Sequence, residues 1–241
     1  AAAAPTAVAV TPVGGTVDAY TLNTTNTNLT ATARITAGEA TGGTAKLKVD
    51  GTEIATDSSI GPEDTSVSFD LGLANNAALQ TAVATGGVVT VELIDAAGNA
   101  TTSSVGNPTL VVDYVAPTFA SVAITSATGA QNNTLNAGDT VSVTVTMSEA
   151  TTVSGTPQVA LNIGGSTKQA SYVSGSGTTA LVFSYTIAAG DNDANGISID
   201  ADSLSLNGGT LLDAAGNAAV LTHSAVADNP SYLVDTTAPA A

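Results

Sequence analysis

Residues 140–147 read TVSVTVTM, and their period is two: Val141, Val143, Val145 and Met147 share one face, Ser142, Thr144 and Thr146 the other. Successive Cβ atoms in a strand point to opposite sides, so this alternation predicts a strand with one face on a core. The same period runs through Leu29, Ala31, Ala33 and Ile35, through Val67, Phe69 and Leu71, and through Val89, Val91 and Leu93. In KLKVDGTEI, Asp50-Gly51 lies between two such runs and predicts a hairpin closed by a two-residue type I′ turn. Strand-like runs recur roughly every ten to fifteen residues with Gly, Asn and Asp between them, which is the pattern of a β-sandwich. The fold class expected is all-β. One run differs: LANNAALQTAVA at 73–84 is spaced for a short helix or helical turn crossing between sheets.

The chain also repeats itself. IDAAGNA at 94–100 returns as LDAAGNA at 212–218, and each copy precedes a strand-like run and then VDYVAP (112–117) or VDTTAP (234–239). Asp95 stands eighteen positions before Asp113, Asp213 twenty-two before Asp235, and a proline follows each second aspartate by four. APT at 4–6 echoes APT at 116–118. Two units are expected, 1–114 and 115–241, as tandem sandwiches end to end with junctions stiffened by proline.

Composition narrows the function. Twenty Asp plus Glu stand against four Lys plus Arg, for a net charge of −16. Such a chain repels nucleic acid and anionic membranes. No apolar run reaches the roughly 18 residues of a membrane span. Apolar content of 43% argues against disorder despite the charge. Cysteine is absent, so stability must come from the core, from association or from bound ions, and the acid excess favours divalent cations. AAAAPTAV lacks the charged start of a signal peptide, and the chain reads as an internal piece of something longer.

Catalysis finds little support. His223 is the only histidine, read as a surface or packing residue on a late strand, and no GxSxG elbow is present. Aromatics make up 3% of the chain, too few to build the sugar platforms of a glycosidase cleft. SGSGTT and GGTVDAY are Gly-rich but lack the lysine and helix of a phosphate loop. Tyr185 and Phe183 read as core. The expectation is a chain without enzymatic activity.

DAAGNA paired with VDTTAP, once per unit, resembles the bacterial Ig-like tandem repeats of giant surface adhesins exported by type I secretion, many with RTX ends. The second unit carries the likeness best, through MSEATTVSGTPQVAL, ASYVSGSGTTALVFSYTIAAGDND and SLSLNGGTLLDAAGNA. Over 1–114 only the C-terminal third does. The resemblance implies extender modules that hold a ligand-binding domain away from the cell, commonly with calcium bound, in support of adhesion or biofilm formation. It implies an extracellular place on a bacterial surface, neighbouring repeats of the same chain as partners, and a monomeric segment. Tyr114 and Val115 replace the family's usual Thr pair, and the GGxGxD nonapeptides of the RTX terminus are missing. A glycan- or protein-binding module and a calcium-dependent surface-layer subunit are the competing readings. The first needs exposed aromatics, the second self-assembly with calcium.

Topology places the candidate ligands. In an Ig-like sandwich the B–C and F–G loops lie at the end where the chain enters. With TVSVTVTM as strand B, Glu149 begins the B–C loop. Asp213 opens the F–G loop, and Asp113 sits in the junction. Three carboxylates converge, and hard oxygen ligands from separate segments suit Ca²⁺. By the same geometry Asp95 and Glu39 form one half-site and Asp235 another. A further candidate is GDNDANGISIDAD at 190–202, where Asp191, Asp193, Asn195, Gly196 and Asp202 follow the EF-hand spacing between strand-like flanks. Blander readings stand beside these: DAAGN as a tight turn, Glu149 as a solvated loop acid, Asp113 as a linker acid, and 190–202 as a connection between strands E and F. GPEDTS at 61–66 reads as a turn.

Overall fold

The computed structural model describes residues 2–15, 17, 20–72, 87–104 and 106–239. The 73–84 run lies outside them. Every regular element among the described residues is a strand, and no helix there is long and apolar enough to cross a membrane. The chain divides into two compact units, residues 1–115 with 215–217, and residues 116–214 with 218–241.

Unit 1 contains β1 (Thr6–Val13), β2 (Thr21–Leu22), β3 (Asn28–Arg34), β4 (Thr44–Val49), β5 (Thr52–Asp57), β6 (Ser66–Asp70), β7 (Gly87–Ile94), β8 (Ala100–Thr102) and β9 (Thr109–Val112). One sheet runs β1-β3-β6; the other runs β2-β9-β7-β4-β5, with β8 on β7. The alternating residues of the sequence are the buried ones. Leu29, Ala31 and Ala33 from β3, Val67 and Phe69 from β6, and Val89, Val91 and Leu93 from β7 join Ala45, Leu47 and Val49 from β4 in a single core. Two sheets sharing one core make a sandwich. Each fully buried Leu or Val contributes about 1.5–3 kcal/mol, so this alternation sets the register. Asp50 and Gly51 have φ of 47° and 82°, as a type I′ turn needs.

The strand order is immunoglobulin-like: β1, β3 and β6 stand as A, B and E, and β4, β5, β7 and β9 as C, C′, F and G. After β1 the chain changes sheets. Tyr20, at φ 66°, turns it so that β2 runs parallel to β9, with Leu22 opposite Val112.

Unit 2 contains β10 (Phe119–Thr128), β11 (Thr134–Leu135), β12 (Thr140–Ser154), β13 (Gln158–Ile163), β14 (Ser166–Ser174), β15 (Thr178–Thr186), β16 (Asn192–Asp193), β17 (Leu204–Ser205), β18 (Thr210–Leu212) and β19 (Leu233–Asp235). A long sheet runs β10-β12-β15-β14-β13-β17 with β18 on β12, and a short one runs β11-β19-β16. Val141, Val143, Val145 and Met147 are buried against Leu161, Leu181, Phe183 and Val234. The parallel corner of unit 1 recurs here: Asn133, at φ 65°, precedes β11, which runs parallel to β19. The Leu233 N–H donates to Asn133 O at 2.9 Å, just as the Val111 N–H donates to Tyr20 O at 2.8 Å.

Two expectations change. Glu149 was expected to begin a loop, but it lies within β12. That strand pairs with β15 from Thr140 to Thr146 and, past an irregularity, again at Thr151, and it pairs with β18 from Thr152 to Ser154. A bulge shifts a strand's register without ending it, so the pairing does not stop where the alternation does. His223 was expected on a strand, but its segment is irregular. Its ring stacks on Phe119 at 5.2 Å, and its Nε2 accepts the Ser203 N–H at 2.9 Å.

Candidate functional site

Within unit 2, Glu149 and Asp213 come together through strand pairing. Thr152 faces Leu212, so the register carries Asp213 alongside Thr151, two residues from Glu149. A carboxylate oxygen of each lies within 4.8 Å of the other. Asp213 is buried and Glu149 half-buried. The Ser148 N–H donates to Thr118 O at 2.8 Å, and the Thr118 N–H donates to Ser148 Oγ at 2.9 Å. That pair ties the strand bearing Glu149 to residue 118, five positions after Asp113 in the chain.

Within unit 1, Asp113 follows β9. Its N–H donates to Leu22 O at 2.9 Å, and its Oδ1 accepts the Val115 N–H at 2.9 Å. Residues 215–217 belong to this unit, and Asn217 anchors them. Its Nδ2 donates to Asp113 O at 2.9 Å, and its Oδ1 accepts both the N–H and the Oγ1–H of Thr24 at 2.8 Å. Asn23 Nδ2 donates to Ala215 O at 2.7 Å, and Asn23 Oδ1 accepts the N–H and hydroxyl of Thr25. Asn23 and Asn217 are both fully buried, where an unmatched amide costs about 1–3 kcal/mol. Sequence reasoning singled out Asp113 and Asp213 and missed Asn23, Thr24 and Asn217. A signal was there: TLN occurs at 21–23 and again at 134–136.

The other predicted residues do not gather in this way. Asp95 turns its carboxylate onto its own loop: Oδ1 accepts the N–H groups of Ala97 and Asn99, and Oδ2 accepts Asn99 Nδ2 at 2.8 Å. The Asn99 side chain, then its N–H, hold the Asp95 carboxyl below its ordinary pKa. Glu39 is exposed and accepts the Ala3 N–H. Asp235 is exposed and accepts the Thr237 N–H.

In the 190–202 loop the carboxylates serve protein donors. Asp191 Oδ1 meets Lys168 Nζ at 2.6 Å, while Oδ2 accepts the Tyr185 hydroxyl at 2.8 Å and the Ala188 N–H at 2.9 Å. Burial would raise the Asp191 pKa, but Lys168, the Ala188 N–H and Tyr185 together outweigh it and hold the carboxyl low. Asp193 Oδ1 accepts the Gly196 N–H at 2.8 Å, and its Oδ2 accepts the Gly164 N–H at 2.8 Å. Asn195 Nδ2 donates to Asp228 at 2.5 Å, and Asp202 Oδ1 accepts the His223 N–H at 2.8 Å. No three acids of this loop bring their oxygens within reach of one ion. It is a polar connection that braces its own sandwich.

No protein-family model matches the chain, and no curated relative does. Among solved structures it is similar to a chain described as "Structural insight into host cell surface retention of a 1.5-MDa bacterial ice-binding adhesin", at 18% identity and TM-score 0.41. That likeness covers 95% of this chain and 64% of the other, so the chain spans less than two thirds of the adhesin chain. It is also similar to the Clostridium thermocellum CbhA fibronectin(III)-like modules, at 13% identity and TM-score 0.33, covering 89% of this chain and 90% of that one.

Proposed function

We propose that this segment is a spacer from a bacterial surface adhesin, two Ig-like repeats joined by a junction that calcium stiffens. The observation that carries the reading is the double use of the second DAAGNA turn. Its Asn217 holds the Asp113 carbonyl and Thr24 inside unit 1, while Asp213, four residues earlier, stands beside Glu149 in unit 2. The acids proposed to share an ion are Asp113, Glu149 and Asp213, of which Glu149 and Asp213 meet within unit 2. Carboxylates from three separate segments are hard oxygen ligands of the kind that suits Ca²⁺. Two carboxylates within 4.8 Å also repel each other, a cost that a shared cation removes.

Calcium supplies positive charge and a preference for six to eight oxygens. The chain's residues do the rest. Asn217 fixes the backbone of Asp113, the pairing of Ser148 with Thr118 fixes the strand of Glu149, and strand β18 fixes Asp213. A ligand that binds only the assembled arrangement stabilises it by mass action. Extracellular modules of this kind bind on the order of 10⁻⁴–10⁻³ M, which suits sea water or host fluids and not cytosol. The repeated DAAGNA and VDTTAP signatures, the absence of cysteine and the −16 charge support the spacer role.

The test is thermal melting with calcium and with chelator, on three chains. Calcium is expected to raise the melting temperature of the natural chain and to do so much less in Asp113→Ala. Asp57→Ala, which removes a half-buried acid on β5, keeps the full response. Equal losses in the two variants would reduce the effect to general charge relief and sink the junction site.

A further inference from the structure

The receptor that holds the second DAAGNA turn exists twice in this chain, and its second copy faces solvent. In unit 1 the receptor is Asn23 and Thr24 after β2, with the Asp113 carbonyl at the end of β9. In unit 2 the same corner offers Asn136 and Ala137 after β11, with Asp235 at the end of β19. The correspondence extends to detail. The Asn23 N–H donates to Asn26 Oδ1 at 2.7 Å, and the Asn136 N–H donates to Asp139 Oδ2 at 2.8 Å. Leu22 and Leu135 are both fully buried beneath. Yet Asn23 is buried under a turn, whereas Asn136 is exposed and its side-chain amide makes no hydrogen bond among the described residues. Beside it, Thr134, Leu233, Asp235 and Thr237 line an open cleft of about 660 Å³.

The matching ligand is also in the chain. The first DAAGNA turn, Asp95–Ala100, has the same sequence as the held one, and its Gly98 and Asn99 are exposed. We infer that Asn136, Ala137 and the Asp235 carbonyl are a docking site for the Asp95–Ala100 turn of a second copy of this repeat pair. The contacts follow by correspondence. Asn136 Nδ2 donates to Ala97 O, the Ala137 N–H donates to Asn99 Oδ1, and Asn99 Nδ2 leaves Asp95 to donate to Asp235 O. Copies then join head to tail through hydrogen bonds, and no cation is needed. The inference rests on the repeat reading but not on calcium.

Two differences set the strength. Ala137 has no hydroxyl to match Thr24. The Gly138 N–H donates to Ile187 O, where Thr25 instead fixes the amide of Asn23. The outer receptor is thus less preorganised, and docking needs the high effective concentration of a covalent neighbour.

The test is a tandem fusion in which Pro239 leads directly into Thr6 of a second copy, reproducing the Pro117-Thr118 spacing. Hydrogen exchange by NMR reads the Ala137 N–H and Asn136 side-chain amide of the first copy, with chelator throughout. In the fusion these groups are expected to exchange about tenfold more slowly than in the single chain. Asn99→Ala in the second copy removes that protection. The same substitution in the single chain, melted alone, checks that the variant folds. Equal exchange in fusion and single chain would overturn the inference. So would protection that appears only when calcium replaces the chelator, because the docking would then depend on a cation. Calcium-independent melting of the single chain, by contrast, would count against the junction site and leave this docking intact.

Discussion

DAAGNA occurs twice, and the two copies live in opposite surroundings. At 95–100 the turn is exposed and satisfies itself, with Asn99 bonded to Asp95. At 213–218 Asp213, Ala215 and Asn217 are buried, and Asn217 bonds outward to Asp113 and Thr24. Identical residues therefore carry different energetic roles, and the receiving corner decides which. A tight turn is all the hexapeptide encodes; Gly98 at φ 89° makes that turn in the exposed copy without help. Burial gives the second copy a packing role that the exposed copy lacks.

The largest expected effect breaks the comparison at its buried member. Asn217→Ala strands the Thr24 donors and the Asp113 carbonyl, and should cost about 2–4 kcal/mol in urea unfolding, one to two buried polar groups' worth. A loss below roughly 0.5 kcal/mol would make the two turns equivalent.

Next comes an acid that is bonded to donors inside one sandwich. Asp191→Asn should cost about 1–3 kcal/mol near neutral pH, since a buried charged acceptor is lost. The half-exposed Lys168 holds the figure toward the lower end. The Asp191 pKa is lowered in the fold, so its contribution is full above the ordinary carboxylate value and is lost as pH falls through the lower folded value. The Lys168 pKa is raised, chiefly by its bond to Asp191, so its contribution is full below the ordinary lysine value and is lost as pH rises through the higher folded one. The gap in melting temperature between natural and variant chains should hold at neutral pH and close at both extremes. A gap independent of pH would contradict the pairing.

A smaller effect tests the shape of the turn. A Cβ at Gly98 meets open space, so Gly98→Ala should cost about 1 kcal/mol, from its left-handed backbone alone. The smallest effect belongs to Asn99→Ala, under about 0.5 kcal/mol in the single chain. A cost equal to that of Asn217→Ala would mean that the exposed turn is already structural.

Much of the sandwich was legible because period-two burial is local. Leu29, Val67, Val89 and Val141 announced their faces one residue at a time, and Asp50-Gly51 announced its turn. The end of β12 was not legible, because its last residues pair with β18, some sixty positions on, where no local pattern shows. Asp113 and Asp213 stood out in the sequence because each belongs to a repeated signature. Asn23 was not, since an asparagine after a strand reads as an ordinary turn residue until its partner, 192 positions away, is seen. The 190–202 loop misled for the opposite reason. Its spacing imitates a calcium loop, but Lys168, Tyr185 and Gly164, which occupy its carboxylates, come from other strands and hairpins.

Small-angle scattering of this segment, in calcium and then in chelator, tests the spacer account most directly. The account predicts a larger radius of gyration and a stiffer profile with calcium, and a shorter, more flexible pair when the ion is withdrawn. The same profile in both conditions would contradict it.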